Sequence, residues 1–76
     1  MRELMIDRIK DMIESTENAT VQDWNMIFDF DLGIIDSDKL ELSEDPEEVA
    51  NQIEEVLREL DDAKILQVYD CIVLDF

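Results

Sequence analysis

The chain has 76 residues, six basic against 22 acidic, and a formal charge of −16 with no histidine. That length makes one domain, 1–76, near the lower end of what folds without staples. The single cysteine, Cys71, excludes an internal disulfide, and the missing histidine removes the usual zinc ligands and any Ser-His or Cys-His catalytic pair.

Residues 2–15 place Met5, Ile6, Ile9, Met12 and Ile13 at helical spacing, with Glu3, Asp7, Arg8, Lys10, Asp11 and Glu14 largely opposite. This predicts an amphipathic helix, broken by Ser15-Thr16-Glu17-Asn18. Its carboxylates are incompatible with a signal peptide, and no apolar run reaches the length of a membrane span. The expectation is a soluble, cytoplasmic protein.

Thr20 and Asp23 have the spacing of a capping box. A short second helix to about Phe28 would put Trp24, Ile27 and Phe28 on one side, followed by an extended turn at Leu32-Gly33. A strand over 26–32 competes, because Met26, Phe28, Phe30 and Leu32 alternate with aspartates.

The third helix is marked by Asp45 as N-cap, Pro46 at the first helical position and Glu48 at the third. Val49, Ile53, Val56, Leu57 and Leu60 form its apolar stripe over 46–60, and Glu54 has the spacing to pair with Arg58. Asp61 or Asp62 then caps a fourth helix. Along 64–74 the β-branched residues allow a strand, but Ile65, Leu66, Tyr69, Ile72, Val73 and Phe76 fit one helical face. The expected fold is all-α, a three- to four-helix bundle; the alternative is α+β with a short strand near 26–32 or 64–74.

Two local features bear on chemistry. The stretch FDFDLGIIDSD at 28–38 sets Asp29, Asp31, Asp36 and Asp38 around the only glycine. Read as a calcium loop from Asp29, it fails on register, since position 6 is Ile34 and position 12 is Leu40. No metal site, cofactor or enzymatic activity is expected. The Gly33-Ile34-Ile35-Asp36-Ser37 segment resembles the serine segment of acyl and peptidyl carrier proteins. That resemblance implies phosphopantetheine on Ser37, at the start of a helix, as an alternative function. The chain departs from the pattern at Asp38-Lys39 and at Pro46.

The third feature is the charge itself. Between Asp29 and Asp62 stand fourteen acidic residues and two basic ones, Lys39 and Arg58. Such a surface disfavours nucleic acid and anionic membranes as direct ligands and favours a basic protein. Glu44, Asp45, Glu47, Glu48, Glu54, Glu55, Glu59, Asp61 and Asp62 are the candidate partner-binding residues. They would present carboxylates to the basic cleft of a nucleic-acid-binding protein. Apolar residues near Trp24, Phe28, Phe30 and Ile34 are candidates for an anchor or a homodimer contact, with Trp24 and Phe28 better suited to the core.

Both ends of the chain resemble small acidic proteins of large tailed phages. The matching residues are Met1-Arg2, Met5-Ile6 and Ile9, then Asp61-Asp62, Lys64-Ile65-Leu66 and Tyr69-Asp70. The likeness implies a host-directed inhibitor of the nucleic-acid-mimic type, acting in the host cytoplasm.

Overall fold

The computed structural model describes residues 1–16 and 18–74. Four helices follow in chain order: α1 (Arg2–Ser15), α2 (Val21–Asn25, prolonged as a π-helix over Met26–Asp31), α3 (Pro46–Arg58) and α4 (Asp62–Tyr69, prolonged as a π-helix over Asp70–Leu74). Among the described residues there is no strand, and no helix is long and apolar enough to cross a membrane. The all-α bundle stands, and the strand alternatives for 26–32 and for 64–74 give way to helix. Hydrogen bonding within a single helix satisfies those segments, leaving their apolar residues free to face α1 and the loop. Phe76 lies outside the described residues.

Helix α1 is the central element, packed against α3 and α4. Ile6, Ile9 and Ile13 share one buried cluster with Val49, Ala50, Ile53 and Leu57 of α3 and with Ile65, Val68 and Ile72 near the C-terminus. Four-residue and three-residue steps keep these side chains on one face of each helix. The hydroxyls of Ser15 and Thr16 both donate to the Met12 carbonyl, at 3.2 and 2.6 Å, which terminates α1. The capping box of α2 is complete. Thr20 Oγ1 accepts from the Asp23 N–H, and Asp23 Oδ2 accepts from the Thr20 N–H. Asp45 caps α3 and Asp61, not Asp62, caps α4. Helix α3 ends at Arg58, two residues short of the expected 60, and the Glu59 and Leu60 N–H groups bond three residues back in a tightened turn.

One expectation about a face and one about a helix end are corrected. On α4 the buried residues are Ile65, Val68 and Ile72, whereas Leu66 is exposed and Tyr69 half-buried. Ile65 and Ile72 face inward as expected, with Tyr69 and Val73 at the edge, while Val68 takes the inner place expected of Leu66. In 24–32, helix continues past Phe28. Trp24, Phe28 and Leu32 go inward, while Met26 and Phe30 point to solvent. The i→i+5 bonding of a π-helix widens the turn, so residues four apart stay nearly in line. The Trp24 and Phe28 rings stack with centroids 5.9 Å apart.

Between Asp31 and Pro46 the chain is irregular but pinned. Leu32, Ile35 and Leu42 are buried, and the Phe28 carbonyl accepts from Ile34 and Ile35. Gly33 provides the bend with φ at +65°, and a Cβ there would find its nearest neighbour, the Asp29 carbonyl oxygen, at an ordinary 3.9 Å. The conformation rather than space selects glycine. Gly33→Ala is expected to cost about 1 kcal/mol in urea unfolding, with Gly33→Asn milder because asparagine tolerates this region. An unchanged midpoint for the alanine variant would contradict the assignment.

Gln52 of α3 holds the far end of the loop. Its Oε1 accepts from the Ser43 N–H at 2.9 Å and its Nε2 donates to the Glu41 carbonyl at 3.0 Å. Gln52→Ala leaves both backbone groups without that partner and is expected to cost about 1–2 kcal/mol. It should also remove hydrogen-exchange protection at the Ser43 amide, and retained protection would show that the clamp is dispensable.

Candidate functional site

Charge on this fold separates into a neutralised seam and an unneutralised face. The seam joins α1 to α3 and the start of α4. Glu54 accepts from Lys10 Nζ at 2.7 Å and from Arg58 Nη2 at 2.8 Å. Arg58 reaches both carboxylate oxygens of Glu3, at 2.8 and 3.1 Å. Arg2 donates to the Arg58 carbonyl at 2.6 Å and pairs with Asp62 at 3.0 Å. Three of the six basic residues are thereby committed to internal contacts.

The local electrostatics follow from these contacts. Hydrogen bonds from Lys10 and then Arg58 hold the Glu54 carboxyl below its usual range. The Arg58 guanidinium does the same for Glu3. The Glu54 carboxylate raises Lys10, and Glu3 followed by Glu54 raises Arg58.

The nine expected partner-binding residues divide accordingly. Glu54 is half-buried in the seam, its charge answered by two cations, so it is not part of an outward acidic face. Asp62 is exposed but paired with Arg2. Asp45 and Asp61 are exposed, and each also accepts a backbone N–H as a helix cap. Glu44, Glu47, Glu48, Glu55 and Glu59 are exposed, and Glu48 accepts from the Ser43 hydroxyl.

Glu48, Gln52 and Glu55 of α3 and Glu59 at its C-cap fall on one stripe by the i, i+4, i+7, i+11 rule. From Glu48 to Glu59 that stripe runs roughly 16 Å along the axis, the axial length of about five phosphates of one nucleic-acid strand. Gln52 adds a member the sequence reading missed. By binding the Glu41 carbonyl it places Glu41, itself exposed, beside the stripe. No local pattern announces that neighbour, because the contact joins positions eleven apart across an irregular loop. Glu59 borders two shallow hollows, one with Leu40, Gln52, Glu55 and Val56, the other with Leu60, Asp61, Ala63, Lys64 and Gln67. The face is thus grooved rather than flat, and Lys64 lines its hollow at the α4 end.

The 28–38 stretch is organised by its own aspartates. Asp29 Oδ2 accepts from the Ser37 N–H at 3.1 Å and from the Ser37 hydroxyl at 2.7 Å. Asp36 Oδ1 accepts from the Asp38 N–H at 3.0 Å. Ser37 opens a turn that closes by Leu40, with the Lys39 and Leu40 N–H groups on the Asp36 carbonyl, and the chain runs on to Pro46 without a helix. A serine at the head of a recognition helix, as the carrier-protein resemblance implies, is not the local geometry. Among the described residues no group of three or more Cys, Asp or Glu side chains is placed to hold a metal ion.

Phe30 is exposed, Ile34 is half-buried, and Trp24 and Phe28 belong to the core. Comparison with known proteins finds no family model, no curated protein and no solved structure that matches this chain.

Proposed function

We propose that this chain is a non-enzymatic acidic interaction protein whose α3 face occupies the basic cleft of a nucleic-acid-binding protein. The observation that carries the reading is the segregation of charge. Arg58, the only basic residue on α3, is turned into the seam with α1, while Glu48, Glu55 and Glu59 line the outward stripe with Glu41, Glu44 and Glu47 nearby. With its one cation used in the seam, α3 leaves Glu48 and Glu55 outward without an ion-pair partner among the described residues, and Lys64 stands only at the rim beside Glu59. Carboxylates so arranged steer a basic partner electrostatically and compete with phosphates for the same Lys and Arg side chains. The likeness of the chain ends to small phage proteins supports a host defence or transcription protein as the partner.

The test is displacement of fluorescent DNA from bacterial restriction, CRISPR and transcription proteins. Displacement should weaken steeply with added salt. The combined variant E48Q/E55Q/E59Q should displace about tenfold less well, because it removes three exposed charges and no cap or seam contact. Displacement indifferent to these substitutions would sink the reading.

A further inference from the structure

A second surface is separate from the α3 face. Beside the π-helical prolongation of α2 lies a groove of about 450 Å³, lined mainly by Ala19, Trp24, Met26 and Ile27 with Asp23 and Asp31. Its volume is within the range of pockets that hold a side chain or a small ligand. Met26 is 54% exposed, and Phe30, four residues on, is 79% exposed, although neither is needed to complete the core. Methionine adapts its shape to a partner, and aromatic residues supply much of the binding energy at interfaces.

Charge decides what occupies the groove. No lysine or arginine occurs between Lys10 and Lys39, while Asp23 and Asp31, on α2 and its prolongation, line the groove. A second copy would bring an equally acidic rim and a further −16 against this one. A cationic amphipathic segment instead meets both halves of the surface, its apolar side chains on Met26 and Ile27 and, beyond the groove, on exposed Phe30, and its basic ones on Asp23 and Asp31.

We infer that the groove formed by Ala19, Trp24, Met26 and Ile27, rimmed by Asp23 and Asp31, docks an amphipathic basic segment of the partner protein. The inference rests on the acidic-interaction reading only in taking the partner to be basic. It adds an apolar anchor that separates a specific partner from any polycation, since charge alone discriminates poorly.

Trp24 is the only tryptophan, so its emission reports on the groove. The probes are a tryptophan-free helical peptide of Leu, Ala and Arg and an oligoarginine of equal charge. The amphipathic peptide should shift Trp24 emission and bind about tenfold more tightly than oligoarginine. Met26→Ser and Phe30→Ser, both at exposed positions, should leave the thermal midpoint unchanged. Each should weaken the amphipathic peptide about fivefold without altering oligoarginine binding. The α3 variant E48Q/E55Q/E59Q should do the reverse, weakening oligoarginine while the Trp24 response persists. Failure of the α3 reading and failure of the groove are thereby told apart. Equal affinity for the two probes, an unmoved Trp24 emission, or indifference to both serine variants would overturn the inference. So would sedimentation showing a dimer that the serine variants dissolve, because a second copy would then be the occupant.

Discussion

Raising the salt concentration from about 10 mM to about 100 mM is expected to stabilise this fold, by on the order of 2–3 kcal/mol, because screening shortens the reach of charge from about 30 Å to about 10 Å. The molecule measures 29 × 25 × 20 Å. At the lower salt, every carboxylate therefore repels nearly every other; at the higher one, only neighbours matter. The unfolded chain spreads the same −16 over a larger volume and gains less. Against this stand the seam pairs, which salt weakens, but exposed pairs contribute only about 0–1 kcal/mol each. Net repulsion therefore decides the sign, and the thermal midpoint should rise by roughly 10–20 °C. A flat or falling midpoint would mean that the seam outweighs the excess charge.

Acid separates the two effects. The seam carboxyls of Glu3 and Glu54 lie below their usual 4.5 in the folded protein. Their contribution is complete above that value and is lost as pH falls through the depressed folded values. Lys10 is raised above 10.5, so its contribution is complete below that value and is lost as pH rises through the elevated one. In high salt, with repulsion already screened, the remaining acid destabilisation should shrink in the Glu54→Gln variant. An unchanged acid limb would exclude the seam as its source.

The second large effect is at Phe28. Phe28→Ala is expected to cost about 3–5 kcal/mol, against a total stability on the order of 4–11 kcal/mol for a chain of this length. The ring is fully buried and stacked on Trp24, and the Phe28 carbonyl anchors the loop at Ile34 and Ile35. Its loss opens a cavity between the α2 segment and the pinned loop, so Trp24 emission should shift toward that of a solvated indole even before global unfolding. Phe30→Ala, two residues away, should stay within about 0.5 kcal/mol of the parent because its ring is in solvent. Urea unfolding of the pair checks both values, and similar losses in the two variants would reject the assignment of faces.

That pair also marks where the reach of local sequence ends. Phe28, Phe30 and Leu32 alternate with Asp29 and Asp31, with Met26 in the same phase, and period alone allows strand or helix. The sequence favours Trp24 and Phe28 for the core, and the helical geometry past Phe28 adds Leu32 to that face and turns Met26 and Phe30 outward. Glu54 is a similar case. Its i,i+4 partnership with Arg58 is legible locally, but the approach of Lys10 and of Glu3 from α1 is not, and that approach removes Glu54 from the acidic face. The inner face of α4 likewise depends on the angle at which α1 crosses it.

By itself the sequence determined α1 and α3, the caps at Thr20 and Asp45, the bend at Gly33 and the excess of negative charge, and it narrowed the α4 cap to Asp61 or Asp62. These follow from interactions within a few residues and from composition, which need no partner in space. Tertiary structure decided which carboxylates are spent in the α1–α3 seam, which remain on the outward stripe with Glu41 beside it, and that Asp61 rather than Asp62 caps α4. Those outcomes depend on contacts between residues up to 60 positions apart, as with Arg2 and Asp62, and only packing brings such groups within a few ångströms.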